Sequence, residues 1–520
     1  MKARASHLVS RPRLDPLVFC HRLCISTSTT SRIAGSSPTK AATTTVPSAS
    51  GTGNTAHHQH HHLHHHEIAF PATRTTSAAK PSSVTAAPLA GLPTRTFLRS
   101  LFLTSVMASP LLTPCLSLMK LLVDSPSKLL RPSSNAAMDY LLRRSIYDHF
   151  CAGTNEIEVR QTVREMKRLG FKGVILGYAR ESIAQVSPSS HQETIAAVLQ
   201  GQLQQAQWEQ AVNEWKEGNL RTLKMLGEGD YLAVKFTGAG PLAVHSLTRN
   251  DPHPPPQIAA AIHEICAAVA AQKSRLWIDA EQQVFQAAID SWAVDLMRRF
   301  NRSSSETPQK EPPIVVLNTY QAYLKRSADI LAGHLRLARQ EGWGVGVKLV
   351  RGAYIAHDQR DRIWDTKEET DANYNGIVRA LIENCYPSIS RGAGSELRSE
   401  RAEDLPTVRL FVASHNGESV AKACTLYQQR QREGRKTIPV EVGQLQGMAD
   451  EVSLGMVAAG GHAEAKPGVF KCLAWGSTEE CLHFLLRRAV ENQSAMQRTR
   501  DTAQALRGEA WRRMVALMRA

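Results

Sequence analysis

The chain is 520 residues long and carries a formal net charge of +15, enough length for one large domain with extensions. The charge is unevenly placed: residues 1–123 hold twelve Lys/Arg against two acids, Asp15 and Glu67, so +10 of the +15 lies there. The remaining residues are near ordinary charge and hold no nucleic-acid recognition motif, so no nucleic-acid partner is expected. The nine cysteines form no CxxC pair, which argues against a disulfide framework or a zinc site.

Residues 1–96 are rich in Ser, Thr, Ala and Pro and show no sustained apolar period. Such a segment cannot bury enough surface to offset the entropy of ordering, and residues 1–123 are read as a disordered targeting and low-complexity region. Met1–Arg32, rich in Arg and Ser and poor in acids, has the make-up of a mitochondrial transit peptide. The histidine tract from His57 to His66 reads as a low-complexity expansion rather than a metal site. Ser100–Met119 is uncharged and flanked by Arg99 and Lys120. Its length would suffice to span a bilayer, but Pro110 and Pro114 favour an interfacial or targeting segment.

From about Ala137 helical and strand periods alternate. Residues 124–170 form a helical lead-in that ends in the amphipathic Val159–Gly170. Residues 171–500 then carry eight short apolar runs with the look of buried strands. They are Gly173–Tyr178, Leu232–Phe236, Leu276–Asp279, Ile314–Asn318, Gly346–Val350, Val408–Ala413, Ile438–Val442 and Val469–Cys472. Helical segments separate them, among them Glu281–Arg299, Ser327–Gln340, Ser419–Arg430 and Thr478–Gln493. Residues 501–520 form a terminal helix. Eight buried strands alternating with helices predict an α/β fold, a (β/α)8 TIM-type barrel with a C-terminal helix capping its mouth. The polar stretches Arg302–Pro313 and Ser388–Pro406 read as surface insertions. A chain starting near Leu129 is expected to fold without the tail.

Several strands end at polar residues: Lys235, Asp279, Asn318, Arg351-Gly352, His415-Asn416 and Gln444. In such barrels the C-terminal strand ends face the active site, and a buried charge there needs a partner or a function. Lys235 paired with Asp279 could equally be a structural barrel pair. No GxGxxG, Walker, HExxH or GxSxG motif stands in a suitable context. Ser477–Glu480 is a capping box that starts a helix. Its Leu482, Leu485, Leu486 and Ala489 form an apolar face, while Arg487, Arg488 and Glu491 project oppositely. That polar face is either solvated or aims two guanidiniums at a small carboxylate, which the planar fork of Arg suits.

Blocks in order along the chain resemble the proline dehydrogenase family. They are Phe150–Gly153 (FCAG), Gly173–Tyr178 (GVILGY), Leu276–Glu281 (LWIDAE), Asn318–Lys325 (NTYQAYLK), Gly346–Tyr354 (GVKLVRGAY), Ala413–Asn416 (ASHN), Gly443–Met448 (GQLQGM) and Leu486–Asn492 (LRRAVEN). The resemblance implies a barrel that holds FAD across its C-terminal face, with L-proline against the flavin ring. It implies that Arg487 and Arg488 hold the proline carboxylate. Lys235 and Asp279 would pair beside the substrate, and Tyr354 and Leu445 would pack on its ring. Asn318 and Lys348 would reach the flavin's polar edge, and Val350 and Gly352 would bring backbone close. His415 would meet the diphosphate, and Lys367, Thr370 and Glu491 the ribose and adenine end. Lys348 stands where some members have Arg, Gly177 where many have Asp, and Cys472 where an aromatic hydroxyl residue often meets the substrate. Hydride transfer from proline to FAD would give Δ1-pyrroline-5-carboxylate, with electrons passed to a membrane quinone at the matrix side of the inner mitochondrial membrane. The chain resembles the family's monofunctional branch. A related flavin barrel, such as a methylenetetrahydrofolate reductase, would leave the adjacent Arg pair unexplained. A non-catalytic proline sensor would have no need of Lys235, Asp279, His415, Arg487 and Arg488 together.

Overall fold

In the computed structural model the described residues are 88–125, 127–179, 195–303, 311–355, 358–387, 404–459, 466–482, 484–486 and 496–519. The segment expected as a transit peptide, the histidine tract and most of both polar insertions lie outside them. Eight strands form a closed barrel in sequence order: β1 Gly173–Tyr178, β2 Tyr231–Val234, β3 Arg275–Ile278, β4 Val316–Gln321, β5 Val345–Val350, β6 Val408–Ala413, β7 Val440–Leu445 and β8 Gly468–Trp475. Every neighbouring pair is parallel, and β8 closes on β1 with Ile175 opposite Cys472. The apolar runs are continuous rather than alternating because both faces of each strand are covered.

Alternation then divides each strand. Val174, Leu232, Ile278, Val316, Val347, Leu410, Val442 and Leu473 face outward into the main core under the helices. Ile175, Tyr231, Trp277, Leu317, Phe411 and Phe470 face inward and fill the barrel. The rings meet edge-on, with Trp277 and Phe411 centroids 5.0 Å apart, an arrangement favoured by the ring quadrupoles. Near the N-terminal end of the barrel, Glu441 is 1% exposed. It is compensated by Arg409 at 3.2 Å, Lys172 at 3.4 Å and Arg275 at 3.6 Å, and it accepts the Tyr231 hydroxyl. A carboxylate this deep is tolerated only when paired and hydrogen-bonded.

Residues 94–123 were expected to be disordered, and here the structure differs. They form α1 (Thr94–Met107) and α2 (Leu112–Asp124), bent by 101° at the break containing Pro110. No single helix among the described residues is long and apolar enough to cross a membrane. The pair is ordered because it has somewhere to pack. Phe97, 2% exposed, lies under the Arg513 guanidinium at 4.2 Å. Arg513 belongs to the terminal helix Met496–Arg519, which begins ahead of the expected 501, and donates to the Leu92 carbonyl at 2.8 Å. Met119 and Leu122 bury against residues of the helix after β8.

The lead-in contains α3 (Ala136–Leu142), the short α4 (Asp148–Phe150) and α5 (Glu156–Arg168). Asn135 caps α3 by accepting from Ala137 and Met138, and Asn155 caps α5 by accepting from Glu158. Between α4 and α5 the chain crosses the exit of β8, where Ala152 N–H donates to Ala474 O at 2.7 Å.

Candidate active site at the barrel mouth

Inward alternation carries past the aromatic plug to the C-terminal strand ends, and there the charges gather. Lys348 on β5 is 8% exposed, and its ammonium donates to Asp279 at 2.5 Å while standing 3.9 Å from the Trp277 ring centroid. A carboxylate and an aromatic face thus hold one cation from two sides. Asp279, expected beside Lys235, carries an ion pair to Lys348. Lys235 and Asp279 both act on Glu281, with opposite effect. Glu281 is 5% exposed, and burial pushes its pKa up against the hydrogen bonds from Thr237 and the charge of Lys235.

Asn318 was expected at the flavin edge, and the register corrects this. It lies one residue beyond the inward Leu317 and so faces outward. There its amide donates to Asp290 at 2.9 Å, on the helix Gln283–Phe300, and Gln286 donates to the same oxygen at 2.8 Å. Burial raises Asp290 to about 6 despite those two donors. The inward residues of β4 at this level are Thr319, opposite Lys348, and Gln321, opposite Val350. Gln321 is 3% exposed and donates to Glu281 O at 3.1 Å. Neither Gln321 nor Trp277 was singled out from sequence. Both stand in motif blocks, and counting by twos along the strands would have found them.

After β5 the chain turns sharply. Gly352 has φ 144, and a Cβ there would collide with the Tyr323 ring, so only glycine lets this backbone approach. Arg351 spends its fork on Asp371 (2.6 Å), Ser414 (2.7 Å) and Ser419 (2.8 Å) and lies 4.4 Å over Tyr374. It thereby ties the β5 exit to the β6 exit, where the half-buried His415 sits. Tyr354 is half-buried in the turn, near Tyr323, whose hydroxyl donates to Asp358. Lys367 and Thr370 open the helix Lys367–Ile382 beyond a complete Thr366/Glu369 capping box. Lys367 pairs with Asp371 at 2.5 Å and is 71% exposed.

Leu445 and Cys472 are register partners on β7 and β8, both half-buried, and both on the inward face. The expected capping box forms, with Ser477 donating to Glu480 at 2.9 Å and Glu480 N–H returning to Ser477 at 3.2 Å. It opens the helix after β8, described at 478–482 and 484–486. Leu485 buries with Tyr147, Phe150 and Ala474, and Leu482 with Leu122 and Leu142. The helix is therefore clamped over the mouth by the lead-in and α2. Arg487, Arg488 and Glu491 lie outside the described residues.

Over the plug several inward side chains are small, Gly177, Ala233, Ala413 and Cys472 among them. Trp277 Nε1 is buried without a protein hydrogen bond. Small walls on one side and the cation of Lys348 on the other fit a planar group with a hydrogen-bonding edge, as a flavin is.

The family model described as proline dehydrogenase matches residues 159–501. The chain is similar to a probable mitochondrial proline dehydrogenase of Schizosaccharomyces pombe, 32% identical over 241 residues, covering 46% of each chain. It is similar to hydroxyproline dehydrogenase of Rattus norvegicus, 29% identical over 407 residues, 72% of this chain and 83% of that one. It is also 34% identical over 252 residues to mitochondrial proline dehydrogenase 1 of Homo sapiens, covering 46% of this chain and 36% of that one. Among solved structures, proline utilization A of Bdellovibrio bacteriovorus superposes with a TM-score of 0.52 at 15% identity, over 73% of this chain and 37% of that one, a likeness of fold. With the family model running from the lead-in past the helix over the mouth, the chain belongs to the proline dehydrogenase family.

Proposed function

We propose that this protein is an FAD-dependent proline dehydrogenase. It oxidises L-proline to Δ1-pyrroline-5-carboxylate, the first step of proline catabolism to glutamate, and passes the electrons to quinone at the matrix side of the inner mitochondrial membrane. The observation that carries the reading is the inward Lys348–Asp279 pair standing on Trp277 at the C-terminal strand ends of a family barrel. FAD, when bound, supplies the hydride acceptor for oxidation of a secondary amine.

The chain's own residues bind and orient. Lys348 holds a fixed positive charge at the flavin's polar edge, kept in place by Asp279 and Trp277. Val350 and Gly352, at the turn that leaves β5, bring backbone close to the flavin. His415 serves the diphosphate, and Lys367, Thr370 and Glu491 the ribose and adenine end. On the substrate side, Arg487 and Arg488 take the proline carboxylate as a bidentate pair. Lys235 and Asp279 stand beside the substrate, and Leu445 and Tyr354 exclude water around its ring. Orientation of the donor carbon is the protein's main contribution. The test is chemical: purified protein with L-proline and a soluble dye acceptor should yield Δ1-pyrroline-5-carboxylate, trapped as its adduct with an aminobenzaldehyde. Dye reduction without that product would overturn the reading.

A second substrate is favoured by Cys472, whose small inward side chain widens the wall next to Leu445. The rat relative that matches over 72% of the chain is named for hydroxyproline. An apolar pocket discriminates against an added hydroxyl by about a hundredfold at best. Proline remains the better substrate, and 4-hydroxyproline is measurably oxidised.

A further inference from the structure

The chain leaving β5 carries Tyr354, proposed above to pack on the substrate ring, and the turn it stands on is fastened to two other strand exits. Asp358 N–H donates to the Tyr354 carbonyl at 3.0 Å, which closes one turn between the two residues. The Asp358 carboxylate then reaches outward with both oxygens. One accepts the Gln283 N–H at 2.8 Å, at the start of the helix that follows β3, and the other accepts the Tyr323 hydroxyl just past β4. Each donor suits the contact. The helix Gln283–Phe300 has no side-chain cap from Gln282, so a carboxylate from across the mouth takes a free N–H where the helix dipole favours negative charge. Tyr323 is buried, and burial, followed by the bond to Asp358, pushes its phenol well above the ordinary range, so it stays a donor. Further along, Trp364 N–H donates to Tyr323 O and Lys325 N–H to Arg362 O, both at 2.9 Å.

We propose that Asp358 is a positioning residue for substrate binding: it pins the turn that carries Tyr354, so that the Tyr354 ring is already in place as a wall of the proline pocket. The inference rests on the functional reading above and adds to it a residue outside the family blocks. Asp358 acts through Tyr354, because both its oxygens are engaged by protein donors. A wall fixed before the substrate arrives lowers the ordering cost of binding. Such a contribution is the same for bound substrate and transition state, so its loss falls on KM and leaves kcat.

The test is steady-state kinetics of the full-length flavoprotein with L-proline and a soluble dye. Asp358→Ala should raise the proline KM at least about tenfold, as expected for the loss of two hydrogen bonds to a charged group. Its kcat should stay within about threefold of wild type and its flavin content should be unchanged. Asp358→Asn should bring KM back to within about threefold, because its amide oxygen still accepts from Gln283 and its NH2 donates to the Tyr323 oxygen. Tyr354→Ala should raise KM alone, and Asp358→Ala added to it should raise KM no further, since two residues acting through one contact are not additive. Should Asp358→Ala fail to fold, Tyr323→Phe removes one bond, leaves the Gln283 contact, and should raise KM about threefold. An unchanged KM in the folded Asp358 or Tyr323 variant would overturn the proposal. So would additive effects in the double variant, or an Asp358→Ala protein that loses kcat and flavin as much as substrate affinity. Failure of the functional reading shows separately, as wild type whose dye reduction does not respond to L-proline.

Discussion

Lys348 is constrained by two neighbours of different kind, the Asp279 carboxylate at 2.5 Å and the Trp277 face at 3.9 Å. Lys348→Met strands a largely buried carboxylate and removes the charge proposed at the flavin edge. Turnover should fall about 30-fold or more, as expected when one partner of a desolvated pair costs about 2–5 kcal/mol. Lys348→Arg should keep turnover within about tenfold, and flavin content measured on both proteins separates cofactor loss from slowed chemistry. Arg487→Met and Arg488→Met should each retain flavin and lose proline turnover on the order of 30- to several-thousand-fold, mainly through KM. Near-normal proline kinetics in both would show that the two arginines sit on a solvated face. Cys472→Tyr should move the kcat/KM ratio of proline to hydroxyproline toward proline by about tenfold; an unchanged ratio would remove Cys472 from the pocket wall. At this scale much of the site could be read from the chain, because a charge at the end of a buried strand is costly and therefore conspicuous. Asn318 shows the limit. A polar residue one step out of phase looks the same in sequence, yet it faces the helix layer, where Asp290 takes its amide.

Among the elements, the lead-in does more than precede the barrel. His149 is 4% exposed and bonded to the Gly447 carbonyl at 3.1 Å. Burial lowers its pKa to about 4, helped by Arg99 and Lys471 and opposed by Asp450 and the Gly447 bond. The folded state therefore keeps it neutral where the unfolded chain would protonate. Its contribution to stability is whole above about pH 6.5 and is lost as pH falls through about 4. The thermal midpoint should drop across that window, and His149→Gln should shallow the drop without abolishing it, since His334 is also lowered to about 4 by burial. An identical pH profile in the variant would show that His149 is not the titrating group. The barrel strands were legible because short apolar runs recur between helices. The helices α1 and α2 were not. Their neighbourhood is rich in Ser, Thr and Pro, and an apolar stretch without polar alternation gives no sign of which side will be covered.

For the whole molecule, the outcome is a revised boundary. The compact unit runs from Ser82 to Ala520, whereas composition alone placed the start near Leu129. A chain beginning at Leu129 lacks the buried Leu89, Leu92, Phe97, Leu112, Met119 and Leu122 and uncovers the helix over the mouth. At about 1.5–3 kcal/mol for each large apolar side chain, its melting temperature should fall by on the order of 10 °C, with flavin bound weakly. A chain beginning at Pro88 should match full length, and calorimetry of the three proteins decides between the boundaries. Whether the assembled mouth oxidises proline is decided by an anaerobic titration of the purified protein with L-proline. Stoichiometric loss of oxidised-flavin absorbance, restored by an added quinone, is the expected result. A flavin spectrum that L-proline leaves unchanged, in protein that a chemical reductant still bleaches, would contradict it.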